Sequence, residues 1–192
     1  KMNETLFNFD LTIGDALFDK INFGFVEGKG KYDGKILELF QYSSQWKQNI
    51  LNGSALLPMD FNIGSDSFGR GILNKPVFLT VGGNTKDFHY ISSYVTALDS
   101  IVGDFNFELN LNGDWQSLDR NGWIRIESTN IFTDMLKKPI SSVDGMGNLQ
   151  NNLLTIERLD GIMEKSSLEQ LEKNIFLSGS LGLTEFFEPY LD

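Results

Sequence analysis

Phe105-Asn106-Phe107-Glu108-Leu109-Asn110-Leu111-Asn112-Gly113-Asp114 is the stretch whose reading decides the fold class. Phe105, Phe107, Leu109 and Leu111 alternate with polar residues. A period of two places all four apolar side chains on one face of an extended chain and the polar ones on the other. Asn112-Gly113 is a tight-turn dipeptide, and Trp123 to Glu127 alternates once more. The stretch therefore predicts a strand, a turn at Asn112-Gly113 and a returning strand.

The same design recurs near the start of the chain. Phe7, Phe9, Leu11 and Ile13 alternate with polar residues, Gly14-Asp15 closes the run, and Ile21, Phe23 and Phe25 share one face of the run to Glu27. One inserted residue brings Gly14-Asp15 onto Gly113-Asp114. Downstream, with a further gap of one, Asp19-Lys20 meets Asp119-Arg120, and Phe23 meets Trp123. Residues 7–27 and 105–128 thus read as two versions of one strand–turn–strand unit within a single β-rich domain spanning 1–192.

Further strands are predicted outward from these units. Asp33-Gly34 is a hairpin signal leading into Lys35–Tyr42. Leu56–Ile63, Pro76–Val81 and Leu153–Leu159 read as strands, with Pro76 at the first position of its own. Residues 64–71 and 141–152 read as Gly- and Ser-rich loops. Four short helices are expected. One is capped by Ser44 and runs to Leu51; others cover Ser92–Val102 and Thr129–Lys138, stopped by Pro139. The last opens at the capping box Ser166-Ser167-Leu168-Glu169 and carries Leu168, Leu171 and Ile175 on one side. The expected class is mainly β: an antiparallel sandwich or barrel with three or four short peripheral helices, with α+β as the alternative.

Composition narrows the function. The 16 Phe favour pleated, half-buried surfaces. A net charge of −10, with no Lys/Arg cluster, disfavours nucleic acid and anionic membranes as partners. Apolar runs are far too short for a membrane-spanning helix. The absence of cysteine removes disulfides, thiolate nucleophiles and Cys-based metal sites. The single histidine, His89, cannot build a multi-His metal centre, and no nucleophile elbow accompanies it. Asp60-Phe61-Asn62-Ile63-Gly64-Ser65-Asp66 spaces oxygen ligands as calcium loops do, but lacks their Gly and closing Glu. No catalytic residue, metal or cofactor is expected.

The stretch with the richest chemistry is 112–123. Asp114, Trp115, Asp119, Arg120 and Trp123 combine flat rings with charged groups, as sugar recognition requires. Phe186-Phe187 is a candidate contact with a partner chain. The leading expectation is a non-catalytic interaction module, a structural subunit of a larger virion- or secretion-type assembly, with protein partners or further copies of itself. The alternatives are a glycan-binding β-domain using the 112–123 hairpin, and a carboxylate-dependent glycoside hydrolase or lyase. An extracellular or virion-associated setting is favoured over a cytoplasmic one.

Overall fold

The computed structural model describes residues 6–18, 21–61, 66–87, 99–133, 135–163 and 172–182. They form ten strands: β1 (Phe7–Phe18), β2 (Ile21–Asp33), β3 (Ile36–Trp46), β4 (Asn49–Pro58), β5 (Val77–Asp87), β6 (Ser100–Asp114), β7 (Ser117–Phe132), β8 (Ile140–Gln150), β9 (Leu153–Ile162) and β10 (Ile175–Gly182). Each strand neighbours the next in sequence, so the order in the sheet is β1 to β10 without a crossover. The mainly β, antiparallel class is as expected. Among the described residues the sandwich or barrel is not found: the strands form one sheet with no pairing between β1 and β10.

No helix occurs among the described residues. Where a helix was expected at 44–51, β3 and β4 instead meet across a two-residue turn with Trp46 opposite Asn49. Lys47 sits in the left-handed region at φ 54°. The Ser44 hydroxyl, expected to cap a helix, donates to the Phe23 carbonyl on β2 at 2.6 Å. Cross-strand pairing has overridden a weak local signal. The expected 129–138 helix fails for a packing reason. Thr129 is fully buried in β7, against Gly103, where a Cβ would lie 2.2 Å from the Thr129 hydroxyl. Residues 100–102 begin β6, and Ile175 begins β10. Asp99 and residues 172–174 are described and are not helical. Residues 92–98 and 166–171 of those two expected helices, with His89, Phe186 and Phe187, lie outside the described residues.

Four further boundaries move. The 141–152 loop is strand β8, ended by a turn at Asn151-Asn152. Leu56–Leu57 close a strand that starts at Asn49 and stops at Pro58, short of Ile63. Gly14-Asp15 does not end β1 but forms an irregularity within it, with Asp15 at φ 52°. The β6–β7 turn is Trp115-Gln116, not Asn112-Gly113, which stays in β6. At the β2–β3 turn both Gly34 and Lys35 have positive φ. That is the type I′ geometry, whose twist matches the flanking strands.

The chain divides into two compact units: Lys1–Gly83 with Glu108–Arg120, and Asn84–Phe107 with Asn121–Asp192. In unit 1 the register aligns apolar side chains in cross-strand rows: Phe7–Tyr32–Leu37–Leu57, Phe9–Gly30–Leu39–Ala55 and Leu11–Gly28–Tyr42–Gly53. Glycines in these rows make room for rings. A Cβ on Gly30 would lie 2.7 Å from the Phe9 ring. One on Gly53 would lie 1.9 Å from the Thr80 carbonyl and 2.7 Å from the Tyr42 hydroxyl. Tyr42 donates to that same carbonyl at 3.2 Å, and burial pushes its phenol up to about 12.

One end of unit 1 carries a dense plug. The rings of Phe9, Phe7, Tyr32, Phe61 and Phe68 follow one another at centroid spacings of 6.0, 5.5, 5.4 and 5.9 Å. Asp60, 3% exposed, accepts from Lys35 at 3.1 Å and from the Ser67 hydroxyl at 2.6 Å. Its backbone carbonyl accepts from Gly69. The carboxylate that opened the calcium-like spacing thus anchors the β4–β5 connection.

Candidate functional site

In unit 2, β7, β8, β9 and β10 also separate two chemistries. Ile124–Gly147–Ile156–Gly179 and Ile126–Gly145–Leu159–Leu177 are apolar rows on one face. The other face carries Trp123–Asn148–Thr155–Ser180, then Arg125–Met146–Arg158, then Asp144–Asp160–Phe176. An open groove of about 1260 Å³ runs over this second face, with Asp104, Asn106 and Lys173 also at its walls.

A bulge builds the charged end of the groove. β7 spends three residues from Ile126 to Thr129, where β8 spends two from Gly145 to Val143. The extra residue puts Ser128 at φ 50° and turns its N–H onto Asp144 Oδ1 at 2.8 Å. Lys173, just before β10, bridges Asp144 and Asp160, lying 2.7 Å from Asp160 Oδ2. Arg158 holds Asp160 with both oxygens, Nε to Oδ1 at 2.8 Å and Nη2 to Oδ2 at 3.0 Å. Asp160 is 1% exposed, so its charge is tolerable only with these partners.

The titration directions follow the contacts. Hydrogen bonds from Arg158 and then Lys173 hold the Asp160 carboxyl below its ordinary range. Lys173 first, then the Ser128 amide, do the same for Asp144. The ammonium of Lys173 is raised by Asp144 and Asp160, and the guanidinium of Arg158 by Asp160. Every one of these groups is held in its charged form.

At the other end of the groove Trp123 is 39% exposed, and Met146 is similarly open. Arg125 pairs with Glu127 at 2.6 Å, and Asn148 donates to Glu157 at 2.5 Å. An exposed indole beside fixed amides and ion pairs is a surface for a ligand with one flat apolar side and polar edges. Among the described residues no group of three or more His, Cys, Asp or Glu could hold a metal ion.

The residues singled out from sequence are dispersed. Asp114 Oδ1 accepts from the amides of Gln116 and Ser117 at 2.8 and 2.9 Å and so shapes the turn. The Trp115 indole donates to the Pro58 carbonyl at 2.9 Å, and its ring covers Gly71. Asp119 lies exposed on β7, and Arg120 donates to the Leu118 carbonyl at 3.3 Å. These four belong to unit 1 and Trp123 to unit 2. Asp144, Arg158, Asp160 and Lys173 were missed. The strand of Asp144, β8, was hidden because Gly145 and Gly147 break the apolar alternation while holding space for Leu159 and Ile124; β9 was expected from Leu153 to Leu159, but the partners of Arg158 and Asp160 were not.

Comparison with protein-family models, with curated proteins and with solved structures found no match to this chain. Among the described residues no helix is long and apolar enough to cross a membrane.

Proposed function

We propose that the chain is a non-catalytic interaction module, a structural segment of a larger β-assembly of the virion or secretion type. One observation carries this reading: the sheet is open, and its apolar residues are left half covered. β1 exposes Phe7, Leu11, Ile13 and Leu17, and β10 exposes Leu177 and Leu181 on its apolar face. An apolar sheet face is stable only when another layer or partner covers it, and an unpaired outer strand is a template for a further strand. Association with protein supplies both. Thermal unfolding over a range of protein concentrations tests the idea. Association stabilises by mass action, so Tm rises with concentration. A Tm independent of concentration contradicts self-association.

A second reading, oligosaccharide binding, is favoured by the exposed Trp123 in the polar groove of unit 2. The ring would cover the apolar side of a pyranose while Asn148 and Arg125 meet its hydroxyls. Titration calorimetry with neutral hexasaccharides tests it. Binding that is lost in Trp123→Ala and kept in Trp115→Ala supports this reading; no heat with any sugar removes it.

A further inference from the structure

β10 reads Ile175-Phe176-Leu177-Ser178-Gly179-Ser180-Leu181-Gly182. All but its first residue are exposed, and the strand contains no charge and no proline. Natural edge strands are normally protected against pairing by lysines, prolines or inward charges. β10 has none of these, in a chain whose net charge is −10. Among the described residues no strand lies beyond it. The five residues Leu177-Ser178-Gly179-Ser180-Leu181 also read the same in both directions.

A palindrome on an edge strand has a geometric consequence. When two identical strands pair antiparallel about a two-fold axis, residues equidistant from the axis face each other. With the axis at Gly179, Leu177 faces Leu181 of the second copy, Ser178 faces Ser180, and Gly179 faces Gly179. The side-chain period of two keeps the leucine pairs on the apolar face, which Leu159 and Leu154 already occupy on β9, and the serine pairs on the other. A one-residue slip would set leucine against serine and turn the faces over. At the centre Gly179 has φ 150°, a conformation that favours glycine, and beyond its own chain neighbours nothing among the described residues lies within 4 Å of where a Cβ would stand. Glycine in a strand leaves room for a second backbone to approach.

We infer that two copies of this chain associate through antiparallel β10–β10 pairing about a two-fold axis at Gly179, joining their sheets edge to edge. This rests on the reading of the chain as an association module and names the partner surface. An eight-residue edge buries less than the ~1,200 Å² of a standard stable interface. The dimer is therefore weak and concentration-dependent.

The test uses the absence of native cysteine. Directly opposed strand residues have Cα atoms about 4.5–5.5 Å apart, within disulfide range. Mild oxidation of the 192-residue chain carrying S178C/S180C is expected to give a covalent dimer on a non-reducing gel. S178C alone, which faces a serine, is expected to give far less. Equal cross-linking by the single and double variants overturns the register, and a double variant that stays monomeric overturns the pairing. Sedimentation of S178K, with its circular dichroism compared to the parent, supplies the second arm. Lysine on the edge is expected to weaken dimerisation by about tenfold or more while the sheet spectrum is unchanged. If S178K retains the parent's full self-association, the proposed function stands and the β10 surface is wrong. If the parent itself does not self-associate, both fall.

Discussion

Two residues singled out in sequence, Asp114 and Trp115, make structural contacts, and substitution separates a structural from a binding role. Asp114 accepts two turn amides. Asp114→Ala is expected to cost about 1 kcal/mol in denaturant unfolding without altering association. Trp115 fills the end of unit 1 through Pro58 and Gly71. Trp115→Ala is expected to cost about 3 kcal/mol by cavity formation, read as a lower urea midpoint. Gly53 is a sharper case. Its backbone is not in a left-handed conformation, so only space is at stake. A methyl group would meet the Thr80 carbonyl and displace the Tyr42 hydroxyl. Gly53→Ala is expected to destabilise by about 1–3 kcal/mol and to lower the Tyr42 phenol from its elevated value of about 12, visible in an ultraviolet titration. That sequence could mark Trp115 and Trp123 as informative but not tell them apart follows from their partners. Pro58 and Gly71 lie far from Trp115 in sequence, and only the folded chain brings them to it.

Elements show where local pattern suffices and where it fails. The alternation at 7–13, 105–111 and 123–127 was enough to give β1, β6 and β7, because each apolar position there carries a side chain. β8 was illegible: Gly145 and Gly147 stand on its apolar face and read as loop residues. The β3–β4 turn was illegible for another reason, since Ser44 to Leu51 satisfies helix-capping rules and only pairing between Trp46 and Asn49 decides against them. The charged groove was missed with β8, because its acid and base partners come from β7, β8, β9 and the residues just before β10. Those partners set an acid sensitivity. Asp144 and Asp160 are both depressed in the folded chain by hydrogen bonds to cations and amides. Their contribution is in place above the ordinary carboxylate range and is lost as pH falls through the depressed values. Urea unfolding followed from neutral pH downward is expected to show falling stability in unit 2. Asp160→Asn is expected to be less stable at neutral pH and to show a shallower acid dependence. An unchanged pH profile in that variant contradicts the role of the Lys173–Asp160–Arg158 cluster.

At the scale of the whole molecule, the ten strands of the described residues pair in order without closing, which leaves apolar side chains and the outer strands β1 and β10 to be managed. The mainly β class could be read from the Phe content and the alternating runs, although Asn112-Gly113, read as a turn, lies within β6. Closure could not, because it depends on strand count, tilt and stagger together, and none of these is written in a local window. Apolar side chains left half exposed in both units are the physical reason to expect association. Light-scattering mass across a dilution series tests this most directly. The expected result is a mass that climbs above that of the single chain as concentration rises and returns to it on dilution. A mass fixed at that of the single chain, at every concentration up to the solubility limit, would contradict self-association through the open sheet.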